Sequence, residues 1–145
     1  MNFWRSFSKE SVLKQLGFAV VLFIILIPIA LWDSGTQVKV DYYEDYFFVN
    51  TDRYDMTIYY KDIASAELTH LAEPGEEVES ARDDDIIRVG VWNNDTWGEY
   101  IICADLDADT CILLKLHDGR TLVYNLKNNE ATEKSYTTLM YHLSN

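Results

Sequence analysis

Cysteine, proline and glycine are all scarce in this chain of 145 residues, which holds 2, 2 and 6 of them. Two thiols cannot build a disulfide-dense scaffold or a four-thiolate zinc site. With 48% hydrophobic and 14% aromatic residues, so little proline and glycine excludes collagen-like, low-complexity and wholly disordered chains, because enough apolar surface exists to offset the entropy of ordering. Basic residues are also few, 12 against 24 acidic for a net charge of −12. That balance argues against nucleic acid as a partner and against docking on anionic lipid headgroups, since both bring acidic surfaces up to phosphates. Catalytic signatures are missing too. No GxSxG elbow, Gly-rich phosphate loop, HExxH or paired HxH occurs, and His70, His117 and His142 are dispersed, so no catalytic, cofactor or metal residue is assigned and the chain is expected not to be an enzyme.

What is present begins with an uncharged run of 17 residues from Leu16 to Trp32. As a helix at about 1.5 Å per residue it covers roughly 25 Å, near the lower limit for a membrane span, and extension back to Val12 with Lys14 snorkelling supplies the rest. A cleaved signal peptide is the competing reading, but its apolar region is usually shorter and ends in small residues, whereas Ala30-Leu31-Trp32-Asp33 follow here. Arg5, Lys9 and Lys14 precede the span and only Lys39 follows closely, which predicts a cytoplasmic N-terminus. The expected organisation is a cytoplasmic segment over 1–15, a transmembrane helix over 16–32, and an acidic domain over 33–145 outside the cytoplasm.

Period-two patterning dominates after Thr36. Val38, Val40 and Tyr42 alternate with Lys39 and Asp41, as a half-buried strand requires. Similar runs at 46–50, 56–61, 63–69, 86–92, 98–105, 111–117 and 121–126 predict eight short strands in an antiparallel barrel or sandwich. Asp118-Gly119 between two apolar runs predicts a tight hairpin that pairs Leu116 with Thr121, Leu114 with Val123 and Ile112 with Asn125. The acidic stretch 72–85 contains Pro74-Gly75 and reads as a surface loop. At the end of the chain, Asn129 is placed to cap a helix of about 14 residues, with Thr132, Tyr136, Leu139 and Leu143 on one face.

Strands followed by one C-terminal helix resemble the pleckstrin homology (PH) superfold, and the details are similar to the bacterial membrane-anchored PH-like domains. The matching stretches are residues 59–68 (YYKDIASAEL), Arg88 with Gly90, 97–100 (WGEY) and 118–139, together extending over most of 38–143. The resemblance implies a mainly β domain with one C-terminal helix and a non-enzymatic binding or assembly role, with no family site to carry over. Eukaryotic relatives bind phosphoinositides through Lys and Arg around the first hairpin. Here that turn reads Tyr42-Tyr43-Glu44-Asp45, so no phosphoinositide headgroup is expected.

Three constellations are candidates for chemistry. Asp105, Asp107 and Asp109 have the spacing that opens an EF-hand calcium loop, but Thr110 and Leu116 stand where a turning Gly and a closing Glu belong. Cys103 and Cys111 are equidistant from Asp107. In a hairpin centred there they would face each other, and a disulfide and a reduced buried pair both remain open. Trp92 and Trp97 bracket a polar turn, where they either anchor a partner or cover the core. The expectation is a membrane-anchored module that binds other envelope proteins or a second copy of itself. The alternative is a receptor for a small ligand or divalent cation at the barrel mouth or acidic loops.

Overall fold

A computed structural model describes residues 37–145, which belong to one compact unit. The expected cytoplasmic segment and transmembrane helix lie outside the described residues. Among the described residues nine strands precede one helix: β1 (Lys39–Tyr42), β2 (Tyr46–Asn50), β3 (Asp55–Tyr59), β4 (Ile63–His70), β5 (Glu76–Asp83), β6 (Ile87–Asn94), β7 (Gly98–Asp105), β8 (Thr110–Leu116), β9 (Thr121–Tyr124) and α1 (Asn129–Ser144), with a 3-10 turn at Tyr60–Asp62. The domain is thus mainly β, in two sheets with one C-terminal helix. Among the described residues no helix is long and apolar enough to cross a membrane.

The first sheet is an antiparallel meander, β1-β2-β3, and the second has the order β4-β8-β9-β7-β6-β5. All pairs in the second sheet are antiparallel except β7 with β9, which run parallel. This corrects the purely antiparallel expectation, and Asn125 shows how the exception is held. Inserting β9 between β7 and β8 forces the short β7–β8 connection to pass the end of β9. There the fully buried Asn125 accepts a hydrogen bond from Asp105 N at 2.7 Å and donates to Asp105 O at 3.0 Å. Its side chain thereby satisfies backbone groups that no strand can reach.

The six-stranded sheet is apolar on both faces at its centre. Ile87, Val89, Cys103, Ile112, Leu114, Leu122 and Tyr124 join Phe47, Val49, Met56 and Ile58 of the first sheet and Leu139 of α1 in the main core. The other face carries Trp92, Tyr100, Ile102, Ala104, Cys111, Leu113 and Val123. The connection 71–75 reaches over this second face from β4 at one edge to β5 at the other. Leu71 N donates to Asp109 O at 2.7 Å, and Pro74 O and Glu73 O accept from Tyr100 Oη and Asn94 Nδ2, both at 2.9 Å. Gly75 has φ +79°, and a Cβ there would lie 2.1 Å from Asn93 O, so only glycine lets the strap lie so close.

Three local expectations are corrected. Residues 76–83 form β5 rather than a loop; its side chains are exposed along almost the whole strand, so no burial imposes a hydrophobic alternation on it. The β8–β9 hairpin is slipped by one residue: Leu114 pairs with Leu122 and Ile112 with Tyr124. Leu116 N donates to Arg120 O and Gly119 N to Leu116 O, so the turn has three residues with Gly119 at φ +91°, not two. Finally, Asn128 rather than Asn129 caps α1, accepting from Ala131 N at 2.8 Å. Asn129 Oδ1 instead accepts from Asp109 N, Thr110 N and Thr110 Oγ1, tying the helix start to β8.

Candidate functional site

The structure does not bring the two cysteines together. Strand β9 separates β7 from β8, and Cys103 belongs to the main core while Cys111 lies on the opposite face of the sheet. Two strand spacings amount to about 9–10 Å between backbones, beyond the reach of a disulfide. Both thiols are free and buried, and burial pushes each up to about 12, so they are protonated and unreactive.

The tryptophans do not form an exposed pair either. Trp92 is 6% exposed and sits in the second core with Arg88 4.9 Å above its ring, while Trp97 is half-buried with its ring edge-on to Tyr100. Their burial accounts for both as packing residues. Asp105 is buried, and its carboxylate accepts from Asp107 N within its own turn. No group of three or more metal-ligating side chains converges among the described residues. The three histidines stay apart: His70 ends β4, His117 lies in the β8–β9 turn, and His142 is stacked in α1 between Tyr42 and Tyr60. The carboxylates of Glu44 and Asp45 stand exposed in the β1–β2 turn.

Several clefts open on the described surface, and one of about 210 Å³ runs along β3. Its lining takes in Ile101, Leu116 and Leu122 of the second sheet together with Asp62 and Arg120, and polar atoms make up the larger part of its open surface. Strand β3 forms this margin because its alternation is complete. Met56 and Ile58 are buried in the core while Asp55, Thr57 and Tyr59 face outward. The backbone follows the same alternation. Thr51 N donates to Tyr54 O at 2.9 Å and Tyr60 N to Asp45 O at 3.1 Å, so the hydrogen-bonded pairs between them are Met56 with Val49 and Ile58 with Phe47. Asp55, Thr57 and Tyr59 therefore turn their N–H and C=O groups to the free edge.

The opposite margin of the first sheet is closed. Tyr42 Oη lies 2.6 Å from Ser135 Oγ and donates to Ser135 O at 2.8 Å, joining β1 to α1. It also lies 3.4 Å from Tyr124 Oη. Desolvation raises the Tyr42 and Tyr124 hydroxyls above the ordinary phenol range, which keeps this junction neutral. The hairpin tip between β2 and β3 is held differently. Arg82 on β5 binds Asp52 at 3.0 Å and Asp84 at 2.6 Å. Asp84 also accepts from Ile86 N and Ile87 N, and these backbone bonds, with the Arg82 guanidinium, draw its carboxyl down to about 2.

Sequence reading missed the cleft because it depends on strand order rather than on any motif. The one local signal is the alternation of residues 55–59, which marks a strand without telling which of its edges is free. Comparison with family models, with curated proteins and with solved structures finds no match to the chain.

Proposed function

We propose that the chain is a single-pass membrane protein that displays a PH-like β domain outside the cytoplasm as a non-enzymatic binding or assembly module for other envelope proteins. The cleft along β3 carries the binding role. It lies beside the outward backbone groups of Asp55, Thr57 and Tyr59, a surface suited to another polypeptide. At about 210 Å³ it is smaller than the roughly 300–1,000 Å³ of drug-sized ligand pockets, so a protein segment suits it better than an enclosed small molecule.

The anchor rests on the uncharged run 16–32, and the orientation on Arg5, Lys9 and Lys14 before it. The PH-like kinship is supported by the order of strands then helix, and by the packing of that helix into the core shared by the two sheets. The parallel β7–β9 pair departs from it. Acidity selects the partner: residues 37–145 hold 9 basic and 22 acidic side chains, and the four arginines are all in ion pairs. A basic protein surface is favoured.

Two readouts test this. Val78 is 55% exposed, so a Val78→Cys chain is expected to react in intact cells with a membrane-impermeant maleimide, while the wild-type thiols stay silent. Amine crosslinking of the full chain in mild detergent is expected to yield discrete protein neighbours. Labelling only after the cells are broken contradicts the topology, and a chain that crosslinks to nothing contradicts the binding role.

A further inference from the structure

Proteins guard the open edges of their sheets, because a row of unpaired N–H and C=O groups accepts any passing strand. Three of the four sheet edges in this domain carry such guards. Strand β5 is bulged twice and bears Glu76, Glu77, Glu79, Arg82 and Asp83. Strand β4 is bulged between Ile63 and Ser65, and Tyr136 of α1 donates to its Ala66 O at 3.4 Å. Strand β1 has four residues, and its Tyr42 end is bonded to α1. Strand β3 has no bulge in its pairing and, among the described residues, no helix across it, and its free edge borders the cleft.

We infer that β3 is a docking edge that takes an extended segment of a partner protein as a fourth strand of the first sheet, the segment alternating apolar residues with Lys or Arg. The inference rests on the binding role proposed above and supplies its mode and partner chemistry. Hydrogen bonds come from the outward N–H and C=O groups of Asp55, Thr57 and Tyr59. Period-two alternation then decides the sequence that fits. Every second side chain of the incoming strand points to the same side as Met56 and Ile58, toward Ile101, Leu116 and Leu122 in the cleft lining. The others flank Asp55, Thr57 and Tyr59, with Asp62 nearby at the rim. Arg120 is paired with Asp118 at 2.7 Å and Lys61 lies over the Tyr59 ring, so Asp55 and Asp62 leave the edge with a net negative balance that favours a cation. A second copy is the less suited occupant, because two domains of the same strongly acidic sign repel one another.

The test uses the full chain in detergent micelles and an eight-residue peptide of alternating Val and Lys. Two controls accompany it: the same peptide N-methylated at alternate amides, which keeps the charge but removes one row of donors, and an alternating Val and Glu peptide. The expected result is binding of the Val–Lys peptide with at least tenfold slower hydrogen exchange at the amides of Asp55, Thr57 and Tyr59. N-methylation and the Val–Glu sequence should each weaken binding at least tenfold. Thr57→Pro removes an outward N–H without touching a bond to β2 and should also lose tenfold. Should that variant unfold, Asp55→Lys with the Val–Lys peptide replaces it, with the same loss expected.

Absence of exchange protection, or equal binding of the N-methylated peptide, overturns strand addition. Concentration-dependent protection of the same three amides without peptide overturns the partner assignment in favour of a second copy. If cellular neighbours crosslink to wild type and to Thr57→Pro alike, strand addition fails while the binding role stands. If no neighbour crosslinks to either, it is the binding role that fails.

Discussion

The two margins of the three-stranded sheet solve the same problem in opposite ways. At β1 the sandwich is closed by α1, whose Ser135 meets Tyr42 and whose Leu139 is fully buried in the core. At β3 none of the described residues forms a covering helix, and the hairpin tip is tethered by Asp52, Arg82 and Asp84 at the surface. A small domain gains most of its stability from apolar burial, and β3 shares in it through Met56 and Ile58; what sets the β3 margin apart is that its outward backbone groups stay unpaired and so are available for recognition.

Truncation on the closed side should have the largest effect. Leu139→Ala empties a fully buried site and should destabilise the domain by about 2–5 kcal/mol, read as a lower urea midpoint of the full chain. Tyr42→Phe, which removes the hydroxyl bonded to Ser135, should cost about 1–2 kcal/mol by the same measurement. Thr57→Val on the open side changes an outward side chain and should shift stability by less than about 0.5 kcal/mol. A loss there as large as that of Tyr42→Phe would erase the distinction between the margins.

Acid should separate them as well. The Asp84 carboxyl titrates at about 2 in the folded chain, below its ordinary value, so its contribution is complete above about pH 4 and is lost as pH falls through 2. Exchange at β3 and the β2–β3 turn should therefore quicken over that window before exchange around Tyr42 does, and Asp84→Asn should abolish the difference. A carboxyl titration followed by NMR gives the midpoint directly.

How much of this is legible in the sequence depends on what makes each feature. The strands at 46–50 and 98–105 announce themselves because burial imposes a pattern on them. Strand β5 is invisible because charge covers both of its faces, and the hairpin slip is hidden because all four residues of β9 are buried, so either register keeps them in the core. The cap is displaced by one residue because Asn128 and Asn129 are equally good candidates by type. Only the fold shows that the second is occupied with β8. The cysteine and tryptophan pairs come apart for different reasons: β9 lies between the strands that carry Cys103 and Cys111, and packing on the second face of the sheet takes up the rings of Trp92 and Trp97. The cleft has no sequence signature because an edge is defined by what does not pair with it.

A photocrosslinking amino acid placed at Thr57, and separately at Val78 on the guarded β5 edge, compares an open edge with a closed one in intact cells. If β3 is the docking edge, the Thr57 position yields a discrete covalent adduct with another protein and the Val78 position does not. An adduct from Val78 alone, or none from Thr57, would contradict it.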